Sequence, residues 1–279
     1  MNVYEIVTGK ILAELEKGVV PWHKPWRESG EPVNIASKKH YRGINTILLG
    51  MAEYSNPWWG TYKQVQEAGG QVRKGEKSTL IVFWKPAEKK IDRETGEVKE
   101  SFVMLRYYNV YNVEQCDNME KFVPEAAPEP VSGSFAVEEV LENYSPGSWA
   151  YGGDRAFYSW DRDHIQMPQP KDFDSEADFA ATWFHELVHS TGHPSRLKRD
   201  FSGGFGSSSY AREELVAEIG AAYLCEHYGI EYAAPSASYI ASWMKRIKDD
   251  PKLIVVAAGK AAKAVDLMLG VAEEVEKVA

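Results

Sequence analysis

Cysteine is scarce in this chain: its 279 residues include only Cys116 and Cys225. Two thiols so far apart supply neither a disulfide framework nor a Cys-x-x-Cys metal clamp, and they fit a reducing, cytoplasmic setting. A membrane-length apolar run is also missing. The best candidate, LIVVAAGKAAKAVDLMLGVA, is broken by Lys260, Lys263 and Asp266, which argues against a span and against a membrane partner. The opening MNVYEIVTGKILAELEKG lacks the basic start and long apolar core of a signal peptide. No internal repeat is visible. Nor is there a surplus of positive charge, since the formal net charge is −9, and this excludes a wholly basic nucleic-acid binder.

What is present is divided unevenly. Through residue 125 there are 18 basic and 17 acidic residues, against 14 and 24 in the remainder. Residues 20–85 alone carry 10 basic and 5 acidic side chains. Such asymmetry suggests two jobs, with any polyanion meeting the front. The pattern reads as α+β in two domains. An N-terminal α+β domain over residues 1–123 opens with an amphipathic helix, Val3 to Leu15, stopped by Gly18. Helices over GINTILLGMAEY and TYKQVQEAGG follow, and then two strands, STLIVFWK and SFVMLRYYNVY, joined by a charged hairpin turning at ETGE. PEAAPEPVSGS, residues 124–134, has linker composition. Residues 135–279 read as a mostly helical domain with a small sheet, in which AFYSW and DRDHIQMP pair. Its helices run over DSEADFAATWFHELVHSTGH, capped at Asp174 or Ser175, over AREELVAEIGAAYLCEHYG, around ASYIASWMKRIK, and from Leu253 onward.

The stretch HELVHSTGH, residues 185–193, holds two histidines four apart. Helical spacing puts His185 and His189 on one face, able to point two imidazoles at one ion. Glu186 lies beside them. In the HExxH pattern zinc lowers the pKa of its water and the glutamate acts as general base on a carbonyl. A catalytic zinc takes three protein ligands and keeps one open position. His193 is a long reach for the third, and position 195 of the longer HExxHxxGxxH pattern is Ser195. Glu214 on the following helix is the better candidate, with Glu213 as the alternative. Glu218, one turn on, is placed to hydrogen-bond a ligand histidine. Imidazole and carboxylate donors suit Zn2+, and accept Mn2+ or Co2+ as well.

This set of residues resembles the zincin metallopeptidases, and the glutamate ligand their gluzincin branch. The resemblance implies that an edge strand above the zinc helix holds an extended peptide substrate, and DRDHIQMP around His164 is placed to be that strand. Tyr210, Arg212 and Tyr223 are candidates to stabilise an oxyanion.

In the front half, aromatic rings interleave with cations, a composition suited to single-stranded nucleic acid, where bases stack on rings and cations follow phosphates. The candidates are Trp22, Lys24, Trp26, Lys38, Lys39, Tyr41, Arg42, Trp58, Trp59, Tyr62, Lys63, Arg73 and Lys74, with His23, His40 and Lys77 beside them. The runs VPWHKPW, PVNIASKKHYRGINTILL and NPWWGTYKQVQEAGGQVRKGEKSTLIVFW, followed by IQMP, HELVHSTGHPSRLKR and EELVAEIGAAYL, resemble the ArdC-like antirestriction proteins over nearly the whole chain. That resemblance implies a single-stranded-DNA-binding front, with double-stranded DNA open as a further partner, and a zincin-like back acting on a protein substrate that the sequence does not name. It implies a plasmid or other mobile element, conjugative transfer and protection of incoming DNA from restriction. Position by position it makes His185 and His189 the metal ligands and Glu186 the base. Two other readings share the DNA binding: a non-catalytic shield with a structural metal, and a protease that clears protein crosslinked to DNA.

Overall fold

The computed structural model describes residues 2–23, 30–85, 90–91, 98–99, 104–124, 131–200, 208–233 and 235–271. The architecture is α+β in two compact units. One comprises Met1–Val7 and Glu28–Glu125, the other Thr8–Arg27 and Ala126–Ala279. The first helix, α1 (Val3–Leu15), therefore contributes residues to both. Among the described residues no helix is long and apolar enough to cross a membrane.

In the front unit, β1 (Val33–Asn34) leads to α2 (Ile44–Gly50), then β2 (Trp58–Thr61) and α3 (Tyr62–Glu67). A reciprocal cap starts α3: the Thr61 side chain accepts from Gln64 N while the Gln64 side chain accepts from Thr61 N. There follow β3 (Gln71–Val72), β4 (Thr79–Lys85), β5 (Lys90–Ile91), β6 (Val98–Lys99), β7 (Met104–Asn112) and β8 (Cys116–Asp117). The main sheet runs β1-β2-β7-β4, and two further pairs are β3-β8 and β5-β6. The two long strands expected from the sequence are thus β4 and β7, paired antiparallel. The proposed ETGE turn falls outside the described residues.

β4 is a sheet edge, and an edge exposes unpaired backbone groups. Asn45 of α2 closes it. Its Nδ2 donates to Val82 O at 2.8 Å and its Oδ1 accepts from Val82 N at 2.7 Å, so a buried side chain substitutes for a fifth strand at that point. Ile81, Val110, Trp59, Tyr41 and Leu49 form the core under it.

The back unit holds α4 (Gly133–Asn143), β9 (Ser148–Tyr151), β10 (Phe157–Ser159), β11 (His164–Met167), α5 (Glu176–Thr191), α6 (Ser208–His227), α7 (Ala237–Asp249) and α8 (Leu253–Met268). Ser175 caps α5, its hydroxyl accepting from Asp178 N at 3.0 Å. α5 packs against α4, α6 and α8 around Trp183, Phe184, Leu187, Leu215 and Ile219, all fully buried. AFYSW and DRDHIQMP do pair, as β10 and β11. The sheet order is β10-β11-β9, however. β11 also pairs parallel with β9, so the His164 strand is central rather than an edge, and its backbone is used on both sides. His164 Nδ1 bonds Ser148 Oγ of β9 at 2.9 Å. The free edges belong to β9 and β10.

The short 3-10 turn Pro21–His23 also belongs to this unit. Trp22 is 3% exposed and meets Trp243 of α7 edge-on, ring centroids 5.3 Å apart. Thr8 donates to Pro251 O at 2.8 Å. A segment of the same sequence stretch as the basic front is thereby part of the back unit's core. Trp22→Ala is expected to destabilise the protein by about 3 kcal/mol or more, the usual consequence of truncating a buried aromatic, and urea unfolding measures it.

Candidate metal centre

α5 and α6 carry every donor of the site. His185 and His189 lie one turn apart on α5, and their Nε2 atoms converge to 3.1 Å. Glu214 of α6 completes the group, its oxygens 3.6 Å from His185 Nε2 and 3.4 Å from His189 Nε2. Among the described residues these three form the one group of His, Cys, Asp and Glu side chains able to hold a metal, with ligand atoms within 4.8 Å of one another. A tetrahedral ion with bonds of about 2.0–2.1 Å holds its donors roughly 3.3 Å apart, so the donor set fits a divalent ion. Three protein ligands leave one position open. Close helix packing makes the convergence possible: a Cβ on Gly220 of α6 would sit 2.7 Å from a methyl of Val188, the neighbour of His189.

Behind the ligands stands a second layer of carboxylates. Glu213, 5% exposed, reaches His189 Nδ1 at 3.3 Å. It is also gripped by buried Arg199, with Nε at 2.9 Å from one oxygen and Nη2 at 2.7 Å from the other. Arg199 in turn donates to Thr191 Oγ1 and Val188 O at the end of α5, each at 2.6 Å. Glu213 and Glu214 are sequence neighbours about 100° apart on the helix, so one meets the outer nitrogen of His189 and the other its inner nitrogen. Glu213 thus stands outside the group of three convergent donors. Glu218 approaches His185 Nδ1 at 3.7 Å, so each histidine has a carboxylate on the nitrogen turned away from the cluster. The role of Arg199 was not visible in the sequence. The signal that could have found it is the need of a buried glutamate for a cation nearby.

The electrostatics follow from this crowding. Burial opposes charge on His189, but hydrogen bonds to Glu213 and Glu214 and the negative charge of Glu186 outweigh it, and its pKa is pushed up to about 10. Burial likewise acts to raise Glu214, yet the hydrogen bonds from His185 and His189 hold it well below the usual carboxylate range. Glu218 is raised by burial and by Glu214. Tyr210, at the start of α6, is raised by burial and by its hydrogen bond to Glu214, so this oxyanion candidate is engaged with a ligand. Arg212 is exposed and pairs with Asp250 at 3.3 Å. His193 is occupied elsewhere, its Nδ1 2.7 Å from Ser195 Oγ. Glu186 is 8% exposed, and among the described residues its carboxylate has no hydrogen-bond partner.

The front candidates are placed less uniformly. Trp22, Tyr41 and Trp59 are buried. A covered ring offers no face to a base, so these three serve the interior: Tyr41 OH accepts from Asn34 Nδ2 at 2.8 Å and Trp59 packs on Tyr54. Lys38, Lys39, Arg42, Tyr62, Lys63, Arg73 and Lys74 are exposed, and Trp58 is half-buried. Arg73 pairs with Glu76 at 3.2 Å and Lys63 with Glu67 at 3.5 Å. Lys24 and Trp26 lie outside the described residues. Trp84, Tyr107 and Tyr108 of β4 and β7 are exposed rings not singled out from the sequence. Tyr107 and Tyr108 lie within an exposed run, residues 106–109, and Trp84 follows the buried residues 80–82.

Comparison with known proteins completes the picture. Residues 1–111 match the N-terminal domain of anti-restriction factor ArdC, and residues 136–260 match the zincin-like metallopeptidases. The crystal structure of the antirestriction protein ArdC from plasmid R388 is 36% identical in sequence. Its metal-free form superposes with a TM-score of 0.78, covering 96% of this chain and 97% of that one. Its Mn(II)-bound form gives 0.79, covering 97% and 98%. This chain belongs to the ArdC-like antirestriction proteins. It is also 35% identical over 283 residues to the uncharacterized protein y4eC of Sinorhizobium fredii, covering 96% of this chain and 91% of y4eC. A DNA primase TraC of Escherichia coli shares 38% identity over 288 residues, 95% of this chain but only 27% of TraC. The chain thus spans about a quarter of that relative.

Two outcomes are expected for the centre. Glu214→Ala abolishes stoichiometric metal uptake, whereas Glu213→Gln weakens it by about 10–100-fold, as loss of an orienting partner does; equilibrium dialysis with elemental analysis separates them. Metal binding also displaces a proton from His189. Because that group is charged below about 10 in the metal-free protein, affinity rises roughly tenfold per pH unit from pH 6 to 9. Calorimetry in buffers of different ionisation heat detects the released proton.

Proposed function

We propose that this chain protects incoming DNA from restriction by binding single strands through its front domain, and that its back domain holds a divalent ion in a peptidase-type site. The observation that carries the second half is the donor set of His185, His189 and Glu214 with an unliganded, buried carboxylate beside it. Three ligands and an open position are the arrangement of catalytic rather than structural sites. A bound divalent ion supplies polarisation of a carbonyl oxygen. Zn2+ suits the donors, and Mn2+ or Co2+ are compatible with them.

Within that frame the chain's own residues have separate tasks. Glu213, fixed by Arg199, keeps His189 in one tautomer and orientation, and Glu218 does the same for His185. Glu186 stands beside the three donors without being one of them, and a buried carboxylate is costly to keep without a task. It takes a proton from an attacking water and returns it to the departing amine. The front supports DNA binding through exposed Lys38, Lys39, Arg42 and Lys74, with salt-sensitive affinity. Fluorescence anisotropy of the full chain with a labelled oligonucleotide at low salt tests that half, and no binding overturns it.

A second reading, a DNA-coating shield whose metal is structural, is favoured by the basic and aromatic front alone. Glu186→Gln decides between them. It is expected to keep metal stoichiometry and single-strand affinity while losing cleavage of an unfolded protein substrate by about 100-fold or more, the scale of a general base. Protection of transferred DNA in a restricting recipient is expected to fall with it. Full protection by the variant would assign the function to coating.

A further inference from the structure

Lys38 is held in an unusual position. Its φ is 60°, in the left-handed region that disfavours a residue with a Cβ by roughly 1–2 kcal/mol. The loop around it is tightly built. Asn34 Oδ1 accepts from Ala36 N at 3.0 Å and Ser37 N at 2.9 Å, Lys38 N donates to Asn34 O at 2.9 Å, and Asn34 N donates to Lys39 O at 2.9 Å. β1 pairs in parallel with β2, Val33 opposite Trp58, and this sets the loop beside the Trp58 ring. The result is that the Lys38 ammonium lies 4.5 Å from the centroid of Trp58 and 4.4 Å from that of Phe122. The two rings are 5.6 Å apart at 54°. Trp58 is itself anchored, its Nε1 donating to Val123 O at 3.2 Å, and Asn56 Nδ2 donates to Phe122 O at 2.9 Å. A second ammonium, that of Lys121, lies 5.4 Å from the Phe122 centroid.

A half-buried tryptophan fixed by its indole N–H, with an exposed lysine laid over it, has the parts of a nucleobase site already filled from within. The geometry points to Trp58 as a base-stacking position of the front domain, capped in the free protein by Lys38, which a single-stranded nucleotide displaces. The inference rests on the DNA-binding reading above and assigns its location. The exchange is favourable in both directions of contact. An exposed ammonium over a ring contributes little, a stacked base contributes more, and the displaced ammonium then meets the phosphate that accompanies the base. No covalent step is involved. Burial and anchoring of the ring keep it pre-positioned, so little side-chain entropy is lost on binding.

The test uses the full chain and a short oligothymidylate carrying iodouracil, which photocrosslinks to rings stacked against it. Peptide mapping is expected to find the crosslink on Trp58. Trp58→Ala is expected to weaken binding roughly tenfold or more, and Trp58→Phe to stay within about threefold, because the stacking surface persists. Lys38→Ala is expected to reduce the slope of log affinity against log salt by about one, the signature of a lost phosphate contact. Crosslinks on Trp84 or Tyr107, with Trp58→Ala binding as well as the unmodified chain, would overturn the site and leave DNA binding intact. A Lys38→Ala variant with a lower melting temperature but an unchanged salt slope would make the lysine a structural staple and also overturn it. No binding of the oligonucleotide at low salt would remove both the site and the reading beneath it.

Discussion

The contact on which the geometry of the candidate metal centre depends is the buried ion pair between Arg199 and Glu213. Removing two charges from water is expensive, and such pairs are poor sources of net stability. This one has a different use. The guanidinium fixes both carboxylate oxygens while donating to Val188 O and Thr191 Oγ1. One of those oxygens faces His189 Nδ1. The loop after α5, the end of α5 and the start of α6 are thereby tied at one point, and the imidazole turns its other nitrogen toward the cluster. Without Arg199 the buried carboxylate would keep only His189 as a partner, and the orientation of the histidine would lose its anchor.

The front domain solves a related problem with neutral groups. Asn45 completes the hydrogen bonding of an edge strand, and the Asn34 carboxamide oxygen accepts from two successive backbone N–H groups of its loop, those of Ala36 and Ser37. Both side chains are buried and present donors and acceptors together, so they substitute for backbone where no strand is available. Such sites bring rigidity to loops, and the loops of this unit carry its cations.

Much of this was legible before the fold was known, because the informative signals were local. Helical spacing placed His185 and His189 on one face, and the next helix supplied Glu214 at an inward-facing position. Chain-length patterns identified β4 and β7. The failures share a cause: they required knowledge of what lies beside a segment in space. The strand of His164 reads as an edge until its parallel pairing with β9 is seen, since partners for both of its sides come from elsewhere in the chain. Trp22, Tyr41 and Trp59 sit among lysines and arginines in the sequence, yet sequence proximity to charge does not report which way a ring turns. Glu213 stays an alternative to Glu214 in the sequence because only the helix phase relative to His189 shows that it meets the outer nitrogen.

The assignment of Thr8–Arg27 to the same compact unit as the zincin-like region has a consequence for how the family can be recombined. The segment matched as the ArdC front, residues 1–111, includes those twenty residues. A chimera that exchanged fronts at the apparent linker would carry away part of the recipient's own interior, and each half would inherit a foreign Trp22 environment. The polypeptide also passes between the units at residues 7–8, 27–28 and 125–126. A single cut in the linker therefore leaves Thr8–Arg27 on the front fragment, so that neither fragment carries a whole back unit, and exchange between relatives favours co-inheritance of both halves over shuffling at one boundary.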